Sequence, residues 1–277
     1  MAQVRPDART FRRRRLVALA VLGSVVAAIA LLVGSGQPPE RAAHKPAAAH
    51  PKRRAPVPVL MYHGVEPPVP GGLPYLFVRP AAFRAQMEAL AEAGGHGVTM
   101  AQVEAAWQRG MPLPPKPVVI TFDDGYRGQA NNALPVLQRH GWPGVLYMCI
   151  ANFRSPSGLR EDDVRKLLRA DWELGAHTFS HLDLRTLNAA ELRHEVGESR
   201  RWLERRFGVP VTSFAYPAGK YGPAALKELR RARFQSAVTV APGLARPGRP
   251  LELNRIRVSS TTTASGLMKE LKQLGWR

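Results

Sequence analysis

Seven short runs rich in β-branched and aromatic residues punctuate the chain from residue 57 onward: 57–62, 118–122, 145–150, 172–176, 212–216, 236–240 and 256–258. Between them lie stretches with apolar residues at helical spacing, such as 81–93, where Phe83, Met87 and Leu90 share a face, and 189–207. Strands alternating with helices predict an α/β fold with a mostly parallel sheet, open or closed into a barrel. In such folds chemistry gathers at the carboxyl ends of the strands. A different pattern comes first. Residues 16–33 contain no charge, only Gly23 and Ser24 interrupt their apolar character, and Arg12 to Arg15 precede them directly. That length approaches the roughly 17–25 residues that span a bilayer, and it exceeds an ordinary signal-peptide core. We therefore expect a basic cytoplasmic N-terminus at 1–15, a transmembrane or signal-anchor helix at 16–34, a disordered Pro/Ala/basic linker at 35–55 and one folded domain at 56–277. Val33-Gly34-Ser35 keeps cleavage open, so the domain is expected to be membrane-anchored and extracytoplasmic, or secreted.

Charge changes the picture little. The 277 residues carry a formal net charge of +19. Residues 1–54 hold 11 of the 40 basic residues and two of the 21 acids, which leaves an excess of ten for the remainder. Such a balance suits an anionic surface or polymer, but it suits a solvated Arg-rich exterior equally well. No nucleic-acid motif is present and no nucleic-acid partner is expected. Cys149 is the sole cysteine; it sits in an apolar run and reads as a buried structural thiol.

The candidate chemistry lies in two strings. Thr121-Phe122-Asp123-Asp124-Gly125 places two carboxylates at the end of an apolar run. Adjacent residues leaving a strand point in different directions, so Asp124 can serve as a ligand while Asp123 faces the reacting water as base. Gly125 permits the turn that follows. His177-Thr178-Phe179-Ser180-His181 places two imidazoles four residues apart, a spacing that one helical turn would bring to one face. No Glu follows His177, so this is not the HExxH pattern and the base must come from elsewhere. One carboxylate and two histidines for a divalent metal, with one carboxylate to spare, is the inventory of a metal-assisted hydrolase. Such a donor set suits Zn, Co, Ni or Fe without choosing among them. Tyr126 and Tyr216 are expected to line the cleft and stack on substrate.

These two strings match the first two motifs of the polysaccharide deacetylases of carbohydrate esterase family 4, the NodB-homology domain, which the chain resembles over roughly 57–260. The resemblance is nearest to the poly-N-acetylglucosamine deacetylase type. It implies a deformed (β/α) barrel and hydrolysis of N-acetyl groups on a sugar polymer. It also implies that Asp124, His177 and His181 hold the metal, that Asp123 is the base and that the Ala218 N–H is the oxyanion donor. Two departures stand out. The third motif, Arg-x-Pro-Tyr, appears as Ala215-Tyr216-Pro217-Ala218, so the Arg that would orient the base is missing. Lys220, Arg255 and Arg257 are the candidates to replace it, and a glycan-binding pseudoenzyme becomes the alternative reading. The fifth motif lacks its His, but His63, in Leu60-Met61-Tyr62-His63-Gly64, resembles the early-strand His of biofilm-polysaccharide deacetylases. It is expected to act as general acid from across the cleft, facing Asp123.

Overall fold

The computed structural model describes residues 55–276. The helix expected at 16–34 and nearly all of the linker lie outside the described residues, among which no helix is long and apolar enough to cross a membrane.

The described residues form eight strands: β1 (Val59–Tyr62), β2 (His96–Val98), β3 (Pro117–Asp124), β4 (Val145–Met148), β5 (Glu173–Ala176), β6 (Ser213–Ala215), β7 (Ser236–Pro242) and β8 (Leu253–Arg257). Every pairing between them is parallel. β1 pairs with both β8 and β3, so seven strands close into a ring, and β2 adds to the start of β3. Of the eight, only β2 has no counterpart among the predicted runs. Its three residues, His96-Gly97-Val98, carry too little apolar side chain to register.

A closed barrel buries both faces of its strands, which is why β3 is apolar almost throughout rather than alternating. Alternation still decides where each side chain goes. Val59, Val119, Val145, Tyr147, Ala215, Val238 and Leu253 fill the barrel interior. Leu60, Ile120, Phe122, Leu146, Leu174, Phe214 and Ile256 face outward to a second core under the helices. By the same period of two, Thr121 and Asp123 fall on the inner face of β3, and Arg255 on that of β8.

The helices follow ordinary start and stop chemistry. α1 (Pro80–Glu92) opens on a proline. α2 (Met100–Arg109) opens on a reciprocal Thr99/Gln102 capping box and ends at Gly110 in the left-handed conformation. Its Met100, Val103 and Trp107 plug the amino-terminal end of the barrel. α3 (Leu134–Arg139) and α4 (Glu161–Leu168) flank β4 in sequence. The helix expected at 189–207 is continuous but not uniform: α5 (Ala189–Leu192) and α6 (Ser199–Phe207) are joined by a wide π-helical stretch, Arg193–Glu198. A second π stretch, Gln129–Ala133, precedes α3. α7 (Pro223–Arg231) and α8 (Ala264–Gln273) complete the outer layer.

Candidate metal and hydrolytic site

The two strings meet at the carboxyl ends of β3 and β5. The Asp124 carboxylate lies 3.4 Å from His177 Nε2 and 3.5 Å from His181 Nε2. One ligand atom from each of the three residues falls within 4.8 Å of the others. The His177 ring is oriented through its far edge, with Nδ1 2.7 Å from the Ala215 carbonyl. That contact fixes the tautomer that leaves the Nε2 lone pair free for a cation. Two imidazole nitrogens and a carboxylate oxygen converging with open space beside His181, whose side chain is 43 % exposed, fit a divalent metal.

The histidine pair does not sit on a helical turn. Residues 177–181 form a loop in which Thr178 and His181 both adopt positive φ, at 68° and 57°. The loop is pinned from below by Glu195, whose carboxylate accepts from the backbone N–H of Phe179 and Ser180, each at 2.9 Å. The Thr178 hydroxyl accepts from the His181 N–H. Asp124 (71°) and Ala218 (51°) are also left-handed. Four non-glycine residues in that region at one site represent stored backbone strain, which the surrounding packing holds in place. Gly125 is required for a further reason. A Cβ there would stand 2.3 Å from Met148 Sδ.

Asp123 is 2 % exposed and forms a two-pronged ion pair with Arg255, itself 1 % exposed. Arg255 Nη1 reaches Oδ1 and Nη2 reaches Oδ2, both at 2.7 Å. Nη1 also donates to Thr121 Oγ1 and Nε to the Thr239 carbonyl. The guanidinium missing from β6 is therefore supplied by β8. Of the other two candidates, Lys220 contacts Asp183 at the surface and Arg257 is exposed. Burial alone would raise the Asp123 carboxyl; the charge and hydrogen bonds of Arg255 outweigh it and hold the group below the usual carboxylate range. Burial also works against ionised Asp124, but the His177 hydrogen bond and the charges of His63, His177 and His181 carry it well below that range.

His63 is not across the cleft. β1 lies directly beside β3, with Tyr62 in register with Phe122, so His63 Nε2 sits 3.9 Å from Asp123 Oδ2. Its Nδ1 is buried and finds no hydrogen-bond partner among the described residues. Burial pushes this imidazole below its usual range, against the pull of Asp123 and Asp124. Gln129, a buried side chain on the first π stretch, ties the two strand ends together by donating to the His63 and Asp123 carbonyls.

The two expected stacking tyrosines differ. Tyr126 is half-buried beside the site, edge-on to Phe77 at 5.0 Å, and burial with the Asp124 charge pushes its hydroxyl up to about 12. Tyr216 does not line the cleft. It faces outward from the barrel, is fully buried, stacks on Tyr221 at 4.3 Å and donates to the Leu251 carbonyl. Its neighbour Ala218 is exposed on the turn after β6. Cys149 is buried, as expected. Gln129 and Glu195 carried no motif, and only the π stretches that aim them inward reveal their function.

Residues 110–237 match the sequence profile of the family described as polysaccharide deacetylase. These residues form a polysaccharide deacetylase domain. Among its relatives, Bacillus subtilis YxkH, whose name places it with the polysaccharide deacetylases, is 28 % identical over 77 % of this chain and 75 % of its own length. The Escherichia coli poly-β-1,6-N-acetyl-D-glucosamine N-deacetylase is 26 % identical over 72 % of this chain, which spans only 35 % of that protein. A polysaccharide deacetylase from Bacillus cereus superposes with a TM-score of 0.70 at 28 % identity, covering 79 % of this chain and 69 % of that one. The profile match contains Asp123, Asp124, His177, His181 and Ala218. His63 and Arg255 lie outside it, His63 just after β1 and Arg255 on β8.

Proposed function

We propose that this domain is a metal-dependent N-deacetylase of an extracellular or cell-surface polysaccharide containing N-acetylglucosamine. The observation that carries the reading is the juxtaposition of the Asp124/His177/His181 donor set with a buried, guanidinium-paired Asp123. Arg255 weighs against the pseudoenzyme alternative, because the positive partner that the third motif lacks is supplied in space.

Asp124, His177 and His181 would hold one divalent ion of the Zn, Co, Ni or Fe type. When bound, that ion supplies Lewis-acid polarisation and a water of lowered pKa. Asp123, kept ionised by Arg255, accepts the water's proton as it attacks the acetamide carbon. The backbone N–H of Ala218 donates to the oxygen that gains charge. His63, next to Asp123, delivers a proton to the departing sugar nitrogen, so that acetate and a glucosamine unit leave. Tyr126 offers a ring edge and hydroxyl to the sugar. The apolar segment 16–34 would anchor the domain to the membrane outside the cytoplasm, or direct its secretion, with the linker as tether.

The test is acetate release from purified N-acetylated glycans, poly-β-1,6-N-acetylglucosamine, peptidoglycan and chitin oligomers among them, after chelation and with each metal added back. Release that requires metal and disappears in Asp123→Asn supports the reading. Bound metal and bound glycan with no acetate from any polymer would establish the pseudoenzyme instead.

A further inference from the structure

Arg255 is a cation with almost no access to water, and its hydrogen bonds explain only its edges. Nε, Nη1 and Nη2 are held in plane by Thr239, Thr121 and Asp123. The cation also sits over an aromatic ring: Arg255 Cζ lies 5.9 Å from the centroid of Tyr147. Tyr147 is fully buried on β4, in register with Asp123 on β3. On its other side Tyr147 pairs with Gly175 of β5, where a Cβ would stand 2.5 Å from the ring. The glycine thus makes room for an aromatic side chain lying across the barrel interior. The Tyr147 hydroxyl points toward the Ser213 hydroxyl, which itself donates to Glu173 at 2.6 Å.

We propose that Tyr147 is a positioning residue for the hydrolytic base: its ring holds the Arg255 guanidinium in the plane that pairs with both Asp123 oxygens. The proposal rests on the reading of Asp123 as base. A desolvated cation over an aromatic ring is attracted by the ring's quadrupole, which no aliphatic side chain of that size supplies. Without the ring, the guanidinium tilts out of the fork and the base loses its alignment.

The experiment compares Tyr147→Leu and Tyr147→Phe, alone and in an Arg255→Met background. Tyr147→Leu is expected to lower kcat for acetate release roughly tenfold at unchanged KM. Tyr147→Phe keeps the ring and restores turnover to within about threefold of wild type. In the Arg255→Met background the leucine substitution is expected to cost less than about twofold, because the group it acts through is gone. A second readout needs no activity. The Arg255 Nε–H signal, assigned by its loss in Arg255→Met, should exchange with solvent at least about tenfold faster in Tyr147→Leu than in wild type or Tyr147→Phe. Three results would overturn the proposal: an unchanged Arg255 signal in Tyr147→Leu, a full tenfold loss persisting without Arg255, or a Phe variant as impaired as the Leu variant. Should Tyr147→Leu fail to fold, Tyr147→Met is read the same way. If the wild-type protein releases no acetate, the deacetylase reading fails, and the exchange measurement still decides whether Tyr147 holds Arg255.

Discussion

Replacing Arg255 by methionine is the most informative single perturbation of this site. It keeps an unbranched apolar stem and removes both charge and donors. Asp123 would be left 2 % exposed, with neither of its two short hydrogen bonds from the guanidinium. Breaking a buried pair from one side costs roughly 3–5 kcal/mol. For a domain of this size that lowers Tm by roughly 10 °C. The pH dependence should change sign as well. In the wild type the lowered Asp123 pKa contributes stability above the ordinary carboxylate range, and this is lost as pH falls through the folded value. In the variant burial dominates and the folded pKa lies above the unfolded one, so stability declines as pH rises instead. Turnover at neutral pH should fall by roughly 10²–10⁴-fold as the base becomes protonated and misaligned. The assay is thermal unfolding from pH 2 to 8 at fixed metal concentration, alongside acetate release. Adding Asp123→Asn to Arg255→Met should recover part of the stability and none of the turnover. A variant within about 1 kcal/mol of wild type at pH 7, or one with full turnover, would refute the reasoning.

Replacing either His177 or His181 by Ala should abolish bound divalent metal and activity together; stoichiometric metal in the double variant, measured by elemental analysis, would remove the site from consideration. His63→Ala should fold and retain metal, lose most turnover on an N-acetyl glycan and lose less on an activated acetyl ester, whose leaving group needs no proton. Because the acid form is required and burial lowers the His63 pKa, wild-type activity on the glycan should fall as pH rises through a value below that of an ordinary histidine; equal losses on both substrates would exclude the acid role. Glu104, buried in the barrel plug on α2 with its carboxyl pushed up to about 8, is neutral in the fold and ionised in the unfolded chain between the ordinary carboxylate range and that value. Stability should therefore decline across that window, and Glu104→Gln should flatten the decline between pH 5 and 8; a Tm profile unaltered by the substitution would show that Glu104 is not its source.

The local parts of this molecule were legible in its residues, and the parts that depend on register were not. Asp123, Asp124, His177 and His181 lie in contiguous strings, and their roles as neighbours need only a strand end and a short loop. Seven of the eight strands announce themselves because a closed barrel demands apolar residues on both faces. Arg255 could be named but not chosen, since its pairing with Asp123 spans 132 residues and depends on where β8 docks against β1. The expected placement of His63 across the cleft failed for the same reason: β1 pairs with β3 as well as β8. Tyr216 was misplaced because one step along β6 turns a side chain from the inner to the outer core. Gln129 and Glu195 escaped notice because a π turn leaves no pattern in polarity. Each widens a helix by one residue and swings a polar side chain under the site, a recurrent use of that geometry.

The guanidinium slot is a position in space rather than in the chain, and this bears on assembly. His63 directly follows β1, the first barrel strand in the described chain, and Arg255 lies on β8, the last. The metal ligands and Asp123 occupy the middle, at the ends of β3 and β5. Without β8, Asp123 has no guanidinium to hold it ionised. Hydrolytic competence then arrives only with barrel closure, so turnover reports on completed folding more strictly than metal content does.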